Sequence, residues 1–253
     1  MDLNLLRATI KSNPEVIQYL KGKARKIADE MAMKGADERA QVEGEMYQKI
    51  VDIFAKQQER IARTGREDPT YLQAELKKAV TDYLQAAALA GVEAAAASVG
   101  IGFDPTAFDV KISDWIQSYS FDLIKGINDT TRGIVQDALT KFNQTAGMTN
   151  KDLFDLLTPA FGDARAQMIA ITEVTRAYSE SNSMYQDYMT ELGVESMREW
   201  HTSKDEKVCP ICSPMDMQQA KQDEKFKDDF GNEYDNPPAH VNCRCSGEIR
   251  VKV

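Results

Sequence analysis

All four cysteines of the chain fall between Cys209 and Cys245, and one of its two histidines, His240, stands among them. They come as two groups, Cys209-x-x-Cys212 and His240-x-x-Cys243-x-Cys245, with a long loop between. Thiolate and imidazole are the donors a tetrahedral zinc takes, four at a time. The chain offers five, so Cys209, Cys212, His240 and one or both of Cys243 and Cys245 are expected to converge on a structural zinc. In a reducing compartment such clustering favours a metal over a disulfide framework. Two other readings stay open on spacing alone: disulfide-forming or oxidation-sensitive thiols, and cysteines that are merely buried. Cys-x-x-Cys also serves redox pairs, but those folds set it between a strand and a helix.

The residues around the cluster describe a small module over 199–253. Glu199-Trp200-His201-Thr202 reads as a short strand, and the charge-apolar alternation from Glu248 to Val253 reads as another, half-buried one. Trp200 is expected to bury its ring in the module's core. Asp205, four residues before the first cysteine, is placed to cap or pin the turn. Pro237 and Pro238 stiffen the approach to His240.

Upstream the chain reads as helices. Asn13-Pro14 starts one, with Val16, Ile17, Leu20, Ala24 and Ile27 at helical spacing, and a second carries Val42, Met46, Ile50, Ile53 and Phe54. The stretch from Thr64 to Pro69 is a break, and Asp68-Pro69 restarts a helix through Leu72, Leu76, Val80 and Leu84. The Ala-rich run from Ala86 to Ala97 suits a buried helix in close contact with a neighbour. Gly100 to Pro105 ends that region. From Ile112 to Phe142 the pattern gives one or two helices, interrupted near Gly126 or Gly133. A cap near Thr149 opens a short helix, and a long one runs from Asp163 until Gly193 closes it. The fold class is thus mainly α with a small α+β C-terminal module. The expected divisions are 1–102, a helical region that docks on a partner, and 103–253, which ends in the Cys/His module.

On the last long helix Arg165, Ile169, Thr172 and Arg176 share one face, and Glu173 is within reach of Arg176. One reading is a charged ridge that holds the C-terminal module. The other is a solvated ion pair worth a few tenths of a kcal/mol.

Composition narrows the function. A formal net charge of −9 argues against a chain that coats nucleic acid. No basic segment leads into an apolar one at Met1, and the most apolar window, Ala86 to Ile101, is shorter than the about 20 residues of a membrane span. A soluble, cytosolic chain is expected.

Three motifs in order then carry a resemblance: Arg165-Ala166-x-x-Ile169-Ala170-x-Thr172-Glu173; Trp200-x-Thr202-x-x-Asp205-x-x-Val208-Cys209-x-x-Cys212; and Pro237-Pro238-x-His240-x-x-Cys243-Arg244-Cys245. This order resembles the C-terminal domain of the phage Mu F-like head-morphogenesis proteins. The likeness runs from about Leu153 to Val253, with a looser one from about Thr81, and the first 80 residues carry no motif of that family. The resemblance implies a minor capsid protein in the virion head interior, or in the host cytoplasm during assembly. Implied partners are the portal protein and the major capsid or scaffold proteins, with possible contact to packaged DNA and a role in genome packaging or delivery.

Enzyme readings fare poorly. No His-Glu-x-x-His, phosphate-cradling glycine loop or Gly-x-Ser-x-Gly is present. A zinc deaminase needs His-x-Glu ahead of Pro-Cys-x-x-Cys, and here Cys209 and Cys212 precede His240. An ADP-ribosyltransferase-like chain wants Glu-x-Glu near its end, whereas Glu43-Gly44-Glu45 lies near the start. A zinc-knuckle nucleic-acid binder would need clustered cations. Lys204, Lys207, Lys221, Lys225, Lys227 and Arg244 are instead interleaved with Asp205, Glu206, Asp216, Asp223, Glu224, Asp228, Asp229 and Glu233. The expectation is a non-enzymatic assembly component.

Overall fold

The computed structural model describes residues 14–145 and 147–251, with the side chains of residues 14–36 and of Phe121 outside the description. The cap expected at Asn13 and the stripe from Val16 to Ile27 therefore lie outside the described residues.

Five helices come first: α1 (Pro14–Thr64), α2 (Pro69–Val99), α3 (Pro105–Gln144), α4 (Asn150–Phe161) and α5 (Asp163–Glu191). Their starts are written locally. The Asp68 carboxylate accepts from Tyr71 N at 3.0 Å and Asp104 from Thr106 N at 2.9 Å, each ahead of a proline at the first helical position. Thr149 and Asp152 form a reciprocal capping box. Gly193 closes α5 with φ +72°.

Two expectations need correction. The two helices expected before Thr64 are one, and α3 runs unbroken through Gly126 and Gly133, starting at Asp104-Pro105 rather than Ile112. A lone helical glycine costs only about 1 kcal/mol against alanine, which packing along the rest of a long helix outweighs.

One hydrophobic core takes in all five helices, on both sides of residue 102. Met46, Ile50 and Phe54 of α1 meet Leu72, Leu76 and Leu84 of α2, Ile112 and Ile124 of α3, Leu153 and Leu157 of α4, and Val174 and Tyr185 of α5. The Ala-rich stretch makes a close helix contact. A Cβ on Gly91 would lie 2.1 Å from Ser181 Oγ and 2.4 Å from the Tyr178 carbonyl oxygen. Here α2 and α5 meet almost backbone to backbone, which only glycine permits.

The C-terminal module is built on two small sheets. Strand β1 (Ser196–His201) lies between β2 (Gln219–Ala220) and β5 (Ser246–Val251), antiparallel to both, and β3 (Phe226–Lys227) pairs with β4 (Glu233–Tyr234). The end strands match the expected pair, while β2, β3 and β4 are too short to leave a period-2 signal. Ile249 of β5 enters the helical core, so the sheet is seated on α5 and α2. No helix among the described residues is long and apolar enough to cross a membrane.

Gly91→Ala is expected to lower the melting temperature by on the order of 5–10 °C, since a clash with backbone forces the helices apart at a cost of about 1–3 kcal/mol. Gly126→Ala, where nothing lies within 4 Å of the added Cβ, is expected to hold or raise it. Thermal melts of the two variants beside wild type check the pair; equal effects would contradict the packing account.

Candidate metal centre

The two ligand groups sit on loops that meet. After β1 the chain turns at Thr202–Lys207, where the Asp205 carboxylate accepts from Ser203 Oγ at 3.1 Å and Lys207 N at 3.0 Å. The turn is cross-linked by an ion pair from Asp205 to Arg244, the residue between Cys243 and Cys245. Cys209–Cys212 then forms a tight knuckle in which Cys212 N and Ser213 N both donate to the Cys209 carbonyl, and Cys212 N also faces Cys209 Sγ at 3.4 Å. Pro237 and Pro238, both buried, lead into the second loop. There Asn242 adopts φ +64°, a conformation asparagine tolerates better than most residues.

These turns bring all five donors together in two triads that share Cys212. One is Cys209, Cys212 and His240; the other is Cys212, Cys243 and Cys245; within each, the donor atoms lie within 4.8 Å of one another. His240 Nε2 stands 3.0 Å from Cys209 Sγ and 3.3 Å from Cys212 Sγ, and Cys212 Sγ stands 3.7 Å from Cys243 Sγ. A tetrahedral zinc with bonds of about 2.3 Å to sulfur and 2.0–2.1 Å to nitrogen implies donor separations of roughly 3.5–3.8 Å. The Cys212–Cys243 separation falls in that range, and the two His240 contacts are shorter than it by a few tenths to about half an ångström, so three edges of such a polyhedron are close to its dimensions. His240 Nδ1 donates to the Val241 carbonyl at 2.8 Å, which leaves the Nε2 lone pair directed at the sulfurs.

The electrostatics favour the thiolate at Cys209 and Cys243 and the neutral thiol at Cys212 and Cys245. Hydrogen bonds from Cys212 and Cys245 hold the Cys243 thiol well below its usual range, and the same contact with Cys243 pushes Cys212 up. At Cys209 burial works upward, but the Cys212 N–H and neighbouring contacts outweigh it and lower the thiol. Burial opposes the protonated form of His240, while its bond to the Val241 carbonyl and the nearby thiolates raise its pKa overall. Soft, charge-bearing donors on rigid turns suit a structural divalent metal. A third grouping, Glu199, His201 and Glu248, lies on the sheet. Arg250 already bridges its two carboxylates at 2.9 and 2.8 Å, and Gln219 donates to Glu199 at 2.7 Å, so it is a closed ion-pair network.

The centre is mounted on the helices by polar side chains. Thr172 Oγ1 accepts from Asn242 N at 2.8 Å, Asn182 Nδ2 donates to the Gly247 carbonyl at 3.1 Å, and Gln186 Nε2 to the Ser196 carbonyl at 3.0 Å. Asn236 Nδ2 donates to Ser183 Oγ at 2.8 Å. From α1, Arg39 reaches the carbonyls of Cys245 and Arg244 at 3.3 and 3.4 Å. Behind the cluster the buried Arg198 guanidinium takes the carbonyls of Lys221, Glu224 and Asp235 at 3.0, 2.8 and 2.7 Å, fixing the long loop. Trp200 is fully buried, with Phe226 edge-on at 5.2 Å.

The ridge expected on α5 reduces to Thr172. Arg165 donates to Thr131 Oγ1 and the Ile127 carbonyl of α3 and to the Ala160 carbonyl of α4, and its guanidinium lies 5.6 Å from the Phe54 ring centre. Glu173 is buried, accepts from the Tyr119 hydroxyl of α3, and faces Arg176 Nε at 3.5 Å. The bonds of these three residues run within the helical body because their side of α5 faces α3, and the pair is not the solvated one that spacing allowed. Arg39, Asn182, Ser183, Gln186, Arg198 and Asn236 were not singled out from sequence. The one signal available was polar side chains at helical spacing, Ser179, Asn182, Ser183 and Gln186, on a helix that is otherwise core.

Arg198→Met is expected to destabilise the module by about 1–3 kcal/mol by removing the buried donor that ties three loop carbonyls together, read as an earlier denaturant midpoint in Trp fluorescence; an unchanged midpoint would contradict that role. For Glu173, burial raises the folded-state pKa, with Tyr119 and Arg176 opposing. Between the unfolded and folded pKa the folded state holds the extra proton, so stability falls as pH rises through that window. Glu173→Gln removes this loss, so the variant should gain on wild type as pH rises above the ordinary carboxylate range; a constant difference in paired melts would rule it out.

Comparison with known proteins agrees with the motifs. No curated protein and no solved structure matches the chain. Residues 132–248, from within α3 to within β5, match the family model described as Phage Mu protein F like protein, so the similarity covers most of the Cys/His module and the helices directly before it.

Proposed function

We propose that the chain is a non-enzymatic minor head protein that joins the portal vertex during assembly, contacts portal and major capsid or scaffold proteins, and influences genome packaging or delivery. It works in the host cytoplasm during assembly and in the head interior afterwards. We further propose that Cys209, Cys212, His240 and one or both of Cys243 and Cys245 hold a structural zinc. When bound, the metal supplies cross-links between the 209–212 and 240–245 loops and so adds directly to folding free energy.

The observation that carries the reading is where the family's motif residues are used. The second hydrophobic core consists of Trp200, Cys212, Met215, Ala220, Phe226, Cys243 and Cys245, so three of its seven buried members are the motif's own cysteines. Their sulfurs pack this core, and the thiol-imidazole contacts present, Cys209 and Cys212 with His240, lie inside the ligand cluster itself, which supports a structural over a hydrolytic use of these groups. An ADP-ribosyltransferase reading gains no support, since Glu43 lies on α1 against Arg39 at 3.6 Å. A nucleic-acid knuckle gains none either. Lys221, Lys225 and Lys227 are engaged by Glu224, Asp235 and Glu233, which leaves few cations for phosphates.

The test has two parts. Elemental analysis of the chain purified under reducing conditions should return about one zinc per chain, and chelation should lower the melting temperature. Cys209→Ser combined with Cys212→Ser should yield heads that lack the protein. Absence of metal with four freely titratable thiols would end the zinc assignment, and normal incorporation of the double variant would end the structural role of the cluster.

A further inference from the structure

The β3–β4 hairpin carries an apolar ring into solvent on a rigid mount. Between its strands the Asp228 carboxylate accepts four hydrogen bonds: from Phe230 N at 2.9 Å, Asn232 N at 2.8 Å, Asn232 Nδ2 at 2.8 Å and the Tyr234 hydroxyl at 3.0 Å. Gly231 turns the chain at φ +86°. At the base, Phe226 and Tyr234 pack on Trp200 with ring centres 5.2 and 6.2 Å away. Gln218 braces the side, its amide oxygen accepting from Lys227 N at 3.1 Å and its Nε2 donating to the Lys227 carbonyl at 2.8 Å. A tip held this way cannot fold back to cover its own side chain. Phe230 is 70% exposed, the highest value of any large apolar residue among the described residues, and Met217, next to the bracing Gln218, is 51% exposed.

The tip's surroundings are acidic. Asp223, Glu224, Asp229, Glu233 and Asp235 are exposed on this loop, while Lys225 and Lys227 are paired with Asp235 and Glu233 at 3.0 and 2.7 Å. A pre-formed aromatic anchor loses little conformational entropy on docking, and such anchors carry a large share of interface energy. Charge complementarity selects the socket, an apolar pocket with a basic rim. A second copy of this chain, at net charge −9, is a poor match, and an anionic lipid surface would repel the same carboxylates.

We propose that Phe230 is the anchor by which the module docks into a basic-rimmed apolar pocket on a protein of the assembling head. The partner's nature rests on the head-protein reading above; the anchor rests on the hairpin. The test compares heads purified after infection with the wild-type protein, Phe230→Ser, Phe230→Trp and Asp229→Lys, with copies per major capsid subunit counted by quantitative mass spectrometry. Melts of the purified variants verify folding, which an exposed tip residue should leave unchanged. Phe230→Ser is expected to fall roughly tenfold or more in copies per head, Phe230→Trp to stay near wild type, and Asp229→Lys to fall less steeply. Wild-type copies of Phe230→Ser would overturn the anchor and leave the head reading standing. Absence of the wild-type protein from heads would remove the head reading and this proposal together. Phe230-dependent binding of the purified chain to phosphatidylglycerol vesicles would replace the protein socket with lipid and overturn it as well.

Discussion

The hydrogen-bonded seam between α5 and the module decides what the last fifty residues can be. Thr172, Asn182, Ser183 and Gln186 meet Asn242, Gly247, Asn236 and Ser196 across it. The module has two-residue strands, long irregular loops and a core in which cysteines are the recurring residue. So small a core does not offset the entropy of ordering loops of this length without help. The seam supplies one form of help and the convergent sulfurs supply the other. Neither is redundant, because α5 grips the sheet and the 236–242 loop, whereas the cluster joins the 209–212 knuckle to the 240–245 turn.

Buried charge follows the same logic. Arg165 and Arg198 both have their pKa lowered by burial. Each is satisfied mainly by backbone carbonyls, and Arg165 takes one from the last turn of α4, where the helix dipole concentrates negative charge. Carbonyls at chain turns are numerous and fixed, so the planar five-donor guanidinium can tie several segments at once where a lysine would reach one. The cost of desolvating the charge is met by the bonds it collects. Removing it leaves acceptors bare, which makes these arginines structural although both lie within or beside the family's signature region.

How much was readable from sequence follows from the range of each interaction. Asp68-Pro69, Asp104-Pro105 and Thr149-x-x-Asp152 declare their helix starts because capping is settled within four residues. The cysteine and histidine groups were readable as donors because spacing within each is local, and their meeting was an inference from valence. That Cys212 belongs to both triads was not readable, since it depends on how two loops thirty residues apart are set against each other. The ridge at Arg165, Thr172, Glu173 and Arg176 was legible as a helix face, but not which neighbour it meets. Glycines 126 and 133 misled because a breaker's local cost is small beside the packing of a forty-residue helix.

The first helix shows the same limit from the other side. Nothing in the first 80 residues resembles the family, yet Arg39 bonds the carbonyls of Arg244 and Cys245, and its guanidinium lies 5.6 Å from the Tyr178 ring centre on α5. Glu43, one turn on, is pushed up by burial against the opposing pull of Arg39 and Arg244. A side chain from a stretch with no motif thus closes over the Cys-Arg-Cys segment that most identifies the module. Its contacts are to main-chain oxygens, which any sequence provides, and such a contact leaves no pairwise trace in the residues it touches. The cluster is therefore held by contacts from α1, from α5 and from its own loops. A metal bound there would be gripping parts already brought within bonding distance by the rest of the fold.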